Sequence, residues 1–239
     1  MRCPDSTGMA CYEDWADSSS QQSIWMIEPM TEQSSPGRNR CSHWDNVYKT
    51  KQSNAVSWFE ADPQTSLELI ECFAPTGGSI IDVGGGASLL VDRLLETQVW
   101  HITVLDISAT AIELTRARLG ERANRVVWIR ADITEASDLA QYDVWHDRAV
   151  FHFLTSPEDR DAYLNRLNAS LKPGGFFILA TFAPEGPQKC SDLDVCRYDA
   201  AQVHSILGDR FRLARNFEHL HSTPWGKSQL FTYAVFQKQ

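Results

Sequence analysis

The chain has 239 residues, 43% of them hydrophobic and 22% charged, with a formal net charge of −9. That length accommodates one α/β domain of ordinary size with chain to spare. The acidic balance argues against a broad nucleic-acid surface, which needs basic side chains to neutralise phosphate. No apolar run is long enough to cross a bilayer, and the N-terminus lacks the basic-then-apolar pattern of a secretory signal, so a cytoplasmic protein without membrane or nucleic-acid partners is expected. Cys3, Cys11, Cys41, Cys72, Cys190 and Cys196 form no CxxC pair and no zinc spacing; free thiols and no metal centre follow.

Residues 1–40 are rich in Ser, Gln, Asp and Glu and carry neither helical nor strand periodicity, which suits a disordered or loosely docked extension. Trp15 and Trp25 stand out there as candidate contacts to the main domain or to a protein partner. From residue 41 the pattern becomes that of a folded domain. Trp44 to Lys51 and Pro63 to Phe73 suggest helices, the second with an apolar stripe of Leu67, Leu69, Ile70 and Phe73. Ser79 to Val83 reads as a buried strand running into glycines, followed by a helix from Leu89 to Glu96 and a strand from Trp100 to Leu105. A helix from Ala109 to Arg122, strands Val126 to Ile129 and Tyr142 to His146, a helix from Arg160 to Leu171 and a strand from Phe176 to Phe182 complete the alternation. Alternating strands and helices imply an α/β, doubly wound, mostly parallel sheet. The last two β-rich runs, Phe211 to Leu220 and Gln229 to Phe236, are joined only by a short turn and should close the sheet as an antiparallel hairpin, giving seven strands.

The strand–glycine–helix unit around Asp82-Val83-Gly84-Gly85-Gly86-Ala87-Ser88 is the strongest chemical signal. Glycines let the backbone turn tightly and approach a ligand that a Cβ would exclude, at the carboxyl end of a strand where such sheets bind nucleotides. A dinucleotide fingerprint would need a third glycine at position 89, which is Leu89; a cofactor without a pyrophosphate fits better. Asp106, at the end of the second strand, can accept both hydroxyls of a ribose, or cap the following helix beside Ser108. Asp132 can accept from an adenine amino group with Ile133 against the ring, or cap a turn.

The ordered series Ile81-Asp82-Val83-Gly84-Gly85-Gly86, Leu105-Asp106-Ile107-Ser108, Ala131-Asp132-Ile133 and Leu171-Lys172-Pro173-Gly174-Gly175 resembles the successive motifs of class I methyltransferases that use S-adenosylmethionine. The resemblance spans roughly residues 42–239 and departs at Ser88, where many members have glycine. It implies a Rossmann-like fold, with Asp82 ordering the loop and touching the methionine end of the cofactor, and Ile107 beside the nucleoside. It also implies that residues 42–60 form a lid whose Tyr48 and Trp58 line the pocket.

The segment Trp145-His146-Asp147-Arg148-Ala149-Val150-Phe151-His152 should lie beside the reacting methyl. Its Asp147-Arg148 pair resembles the corresponding element of thiol and thiopurine methyltransferases, and more loosely that of some lysine methyltransferases. Arg148 could hold an anionic acceptor with its fork of donors, or pair internally with Asp147. His146 and His152 are candidate proton acceptors, or satisfied core histidines. The expected reaction is methyl transfer to a small-molecule acceptor at sulfur, selenium or nitrogen. Protein-lysine methylation is the alternative, and a nicotinamide-dependent oxidoreductase or a non-catalytic cofactor-binding regulator stands further off.

Overall fold

A computed structural model describes residues 36–97 and 99–239; the segment carrying Trp15 and Trp25 lies outside them. The chain forms α1 (Pro36–Thr50), α2 (Gln64–Phe73), β1 (Ser79–Val83), α3 (Leu90–Thr97), β2 (His101–Asp106) and α4 (Ala109–Leu119). It continues with β3 (Val126–Arg130), β4 (Tyr142–Arg148), α5 (Pro157–Ser170), β5 (Leu171–Phe182), the two-residue strands β6 (Lys189–Cys190) and β7 (Leu193–Asp194), α6 (Ala200–Leu207), β8 (Phe211–Ser222) and β9 (Ser228–Lys238).

Seven strands make one sheet in the order β3-β2-β1-β4-β5-β9-β8. The first five run parallel, and β9 pairs antiparallel with both β5 and β8. This is a doubly wound, mostly parallel sheet with an antiparallel end. Strand order reverses between β1 and β4, which opens a crevice at their carboxyl ends.

The central strands are buried on both faces, so they are nearly continuous apolar runs. Neighbouring residues feed opposite cores. Ile80, Val144 and Ile178 pack with Leu67 and Ile70 of α2 and Leu90 and Leu94 of α3. Ile81, Trp145 and Phe177 pack with Tyr163 and Leu167 of α5 and Val203 of α6. Between Leu171, paired with Tyr142, and Phe176, paired with Val144, the Lys172–Gly175 segment bulges out of register, and Gly174 takes a φ of +77° there.

Several elements differ from the sequence reading: α5 begins at Pro157 rather than Arg160, β5 at Leu171 rather than Phe176, and the short β6–β7 pair was not anticipated. Helix α1 starts at Pro36 rather than at Trp44; a proline suits the first helical turn, whose N–H groups have no partner in the helix. Helix α6 was not anticipated, yet Asp199 and Gln202 form a reciprocal capping box at its start. Among the described residues, no helix is long and apolar enough to cross a membrane.

Candidate functional site

The glycine loop sits in the crevice between β1 and β4. Gly84 donates its N–H to the Leu105 carbonyl at 2.7 Å and has a φ of +76°. A side chain at Gly84 would strike Val150, and a Cβ at Gly86 would stand 2.6 Å from the Asp106 carboxylate. The loop therefore has room only for backbone. Ser88 accepts the Leu90 N–H at 3.0 Å, which starts α3, and its carbonyl takes Arg118 Nη2 at 2.8 Å.

Asp106 is buried, and its two oxygens accept the N–H groups of Gly86 at 2.9 Å and Ser108 at 2.8 Å. Burial pushes its carboxyl up to about 6. Ser108, not Asp106, caps α4 by accepting from the Ala111 N–H. Two of the four lone-pair positions of Asp106 are thus committed to backbone, which leaves two for a diol.

Two connected hollows flank the loop. The larger, with about 770 Å³ of open space, is lined by Asp106, Ile107, Asp132 and Ile133 on one side and by Arg148, Val150, Phe153 and Cys190 on the other. The smaller, about 570 Å³, is lined by Asp82, Gly85, Ser88, Leu89 and His146. Tyr48, Trp58, Val83, Gly84 and Arg148 border both.

The roof is α1. Arg40, Trp44 and Tyr48 are spaced four apart, share one helix face, and all line the larger hollow. Trp44 meets Trp58 and Phe153 edge-on at 5.6 and 5.0 Å between centroids. Trp58 donates its indole N–H to the Tyr48 hydroxyl at 3.2 Å. Polar contacts hold the roof down at both edges. Arg40 reaches Asp132 and Asp159, each at 2.8 Å, and Asp45 accepts from the Ser108 hydroxyl at 2.7 Å and the Thr110 N–H at 3.1 Å. Asp132 also accepts the N–H and hydroxyl of Thr134, so this residue anchors the roof and caps a turn as well as facing the hollow.

Behind the loop, Asp82 Oδ1 lies 2.7 Å from His146 Nδ1, and His146 Nε2 lies 2.9 Å from the Ser66 hydroxyl. All three side chains are buried. With both ring nitrogens engaged, His146 is not free to take a proton from an acceptor. Asp82 Oδ2 has no hydrogen-bond partner among the described residues. A buried carboxylate oxygen left open beside a cavity is a fitting partner for a cationic amine.

Asp147 and Arg148 do not pair with each other. Asp147 accepts from the N–H groups of Val150 and Phe151 and from the Tyr163 hydroxyl at 2.7 Å, and burial raises its carboxyl to about 6. Arg148 donates to the Trp58 carbonyl at 3.0 Å and the Tyr233 hydroxyl at 3.2 Å, lies 3.2 Å from Glu60 and stands over the Phe231 ring. The guanidinium holds the Trp58–Glu60 loop against the sheet with its charge already balanced. His152 borders neither hollow. It is buried, its Nδ1 accepts the Phe182 N–H at 3.4 Å, and burial, aided by Arg148, lowers it to about 3.

The structure gathers Tyr48, Trp58, Asp82, Gly84, Gly85, Ser88, Leu89, Asp106, Ile107, Asp132, Ile133, His146 and Arg148 around the two hollows, while Gly86 lines neither and instead holds Asp106 through its N–H. It adds Arg40 and Glu60, whose roles depend on partners distant in sequence. The open Asp82 oxygen, the diol-ready Asp106 and the flanking Ile107 and Ile133 fit the amino-acid, ribose and adenine parts of S-adenosylmethionine.

Residues 81–177 match the family model of the methyltransferase domain. The chain carries a methyltransferase domain that uses S-adenosylmethionine. It is 29% identical over 189 residues to EEF1A lysine methyltransferase 2 of Danio rerio, covering 72% of this methyltransferase and 75% of that protein. It is 35% identical over 119 residues to carboxy-S-adenosyl-L-methionine synthase of Photobacterium profundum, covering 47% of each. Among solved structures, the 1,6-didemethyltoxoflavin-N1-methyltransferase of Burkholderia thailandensis, with bound S-adenosylhomocysteine, shares the fold. Its TM-score is 0.62 at 17% identity, covering 84% of this methyltransferase and 87% of that chain. These relatives include enzymes named for protein and for small-molecule substrates, and the likeness to thiol methyltransferases has no counterpart among them.

Proposed function

We propose that this methyltransferase passes the methyl group to a small-molecule acceptor at sulfur, selenium or nitrogen. In this reading Asp106 takes the ribose hydroxyls, Asp132, Ile107 and Ile133 border the adenine, and Asp82 faces the methionine ammonium. Tyr48 and Trp58 cover the reacting centre. S-adenosylmethionine supplies an activated methyl on a sulfonium; the acceptor's lone pair forms the new bond while the carbon–sulfur electrons return to sulfur, leaving S-adenosylhomocysteine. The protein's part is alignment and exclusion of water.

The observation that carries this reading is the character of the acceptor end. It is walled by Trp44, Trp58 and Phe153 and bordered by Cys190 from the β6–β7 hairpin. The described ionisable groups around it are spoken for. Glu60 and Arg148 pair, Tyr48 is held well above its ordinary range by burial, and Cys190 is raised to about 11, chiefly by burial. With no free base at hand, the wall favours a nucleophile that arrives deprotonated near neutral pH. A thiol or selenol does so far more readily than a lysine ammonium, whose ordinary value is about 10.4. A turnover screen with thiols, selenols, amines and lysine peptides, read as S-adenosylhomocysteine release, tests this. Turnover confined to lysine peptides overturns it. That outcome would favour the second reading, a protein-lysine methyltransferase, which the resemblance to the Danio rerio protein supports.

A further inference from the structure

Tyr48, Trp58, Val83, Gly84 and Arg148 border both hollows, so they form the neck between them. A cofactor with its ribose at Asp106 and its amino acid at Asp82 must thread this neck, and the sulfonium that joins the two parts comes to lie there. That group carries a full positive charge and no N–H or O–H. It can be recognised only by opposite charge and by ring faces, and Tyr48 and Trp58 supply the rings. Arg148 brings a second, buried cation to the same place. Left alone, it would repel the methyl donor but not the neutral thioether that remains after transfer.

Glu60 answers that charge. Its Oε1 lies 3.2 Å from Arg148 Nη2, with the two side chains 15% and 11% exposed, and Glu60 lines the smaller hollow. The loop that carries it is held by its backbone: Arg148 Nη1 donates to the Trp58 carbonyl at 3.0 Å, and His221 Nε2 lies 2.7 Å from the Ser57 carbonyl oxygen. Arg148 Nη2 itself makes no hydrogen bond among the described residues. What the Glu60 carboxylate adds is therefore charge rather than a directed bond. We infer that Glu60 sets the charge of the neck, neutralising Arg148 so that a sulfonium is accepted, and thereby determines preference for S-adenosylmethionine over S-adenosylhomocysteine. This rests on the cofactor lying across both hollows and not on which acceptor is methylated.

Calorimetry on the full chain with S-adenosylmethionine, sinefungin and S-adenosylhomocysteine tests it. Sinefungin carries an ammonium where the methyl donor has its charged sulfur; S-adenosylhomocysteine is neutral there. Glu60→Gln keeps the shape and removes the charge. It should weaken the two cationic ligands about tenfold more than S-adenosylhomocysteine, as for unit charges close together in a partly screened site. Arg148→Met removes the cation and should shift the preference the other way, by about threefold or more. With both substitutions the preference should return to within about twofold of the parent. A pair that only supports the fold would move all three ligands together. Equal losses for the three, or shifts of the same sign in the two single variants, would overturn the inference. Removing one partner of a buried pair is costly; if Glu60→Gln does not fold, a preference for the cationic ligands that fails to rise in Arg148→Met overturns it instead. The cofactor's placement is read separately from Asp106→Asn: unchanged S-adenosylhomocysteine affinity there would overturn the placement and this inference with it, whereas the ratios above overturn this inference alone.

Discussion

If Asp106 takes the ribose hydroxyls, cofactor affinity must depend on pH in a defined direction. Burial raises this carboxyl from 3.8 to about 6 in the free protein. Two hydroxyl donors favour its charged form and pull the value down again in the complex. The complex then holds fewer protons than the free protein, so affinity rises as pH climbs through 6. With a value of about 6, Asp106 is about one-tenth ionised at pH 5 and about nine-tenths at pH 7, so apparent affinity for S-adenosylhomocysteine should be about tenfold tighter at pH 7. Calorimetry at pH 5 in two buffers of different ionisation enthalpy should count nearly one proton released per ligand. 5′-Methylthioadenosine, which has the same ribose, should show the same slope, and Asp106→Asn should abolish it. Asp147 titrates in the same range, but its oxygens face Val150, Phe151 and Tyr163 and should not register the ligand. Equal affinity at the two pH values, or a slope that survives in Asp106→Asn, would refute the ribose assignment.

Gly84→Ala places a Cβ against Val150 at a φ of +76° and should cost about 1–3 kcal/mol, seen as a lower midpoint in a urea melt; an unchanged midpoint counts against the loop geometry. Arg40→Ala removes the anchor to Asp132 and Asp159 at a partly exposed site, where a pair contributes about 1 kcal/mol. Stopped-flow tryptophan fluorescence should accordingly show S-adenosylhomocysteine leaving several-fold faster, and an unaltered release rate would mean that α1 does not gate the pocket. The raised carboxyl of Asp147 favours the folded state below pH 4, and that contribution is lost as pH rises through 6. At about 1.4 kcal/mol per unit this amounts to roughly 3 kcal/mol. Denaturant melts of Asp147→Asn should therefore fall less between pH 4.5 and 7.5 than those of the parent, and identical slopes would sink the assignment.

The parallel core and its glycine loop were legible because each rests on local pattern: apolar runs such as Ile80-Ile81, the glycines at 84–86, and acids at the ends of β2 and β3. The closing hairpin was legible for the same reason. The capping box of Asp199 and Gln202 was a readable signal for α6 that the β-rich surroundings obscured. What local pattern could not show was who meets whom. Arg148 reads as a clamp for an anionic acceptor or a partner of Asp147 until the fold brings Glu60 beside it, and whether His146 is a base or a satisfied core histidine stays open until Ser66 arrives from α2. His152 has the right chemistry for a base, but its ring is turned toward the Phe182 backbone. Asp132 keeps its place at the hollow, yet Arg40 competes for the same carboxylate, a contest between residues 92 positions apart.

The position of β9 within the sheet bears on how the enzyme comes into being. This strand is the last in chain order, yet it lies inside the sheet, between β5 and β8. Until it docks, β5 offers an unpaired apolar edge to any passing strand, the hazard that open sheets must manage. Its contacts with β5 are distant in sequence, which places its docking among the slower steps of folding. Tyr233, midway along β9, accepts from Arg148 at 3.2 Å beside the cofactor crevice. A ribosome-bound chain that has already assembled β1 to β5 would therefore still lack one of the contacts that hold Arg148, and that wall of the pocket would be finished only when β9 docks.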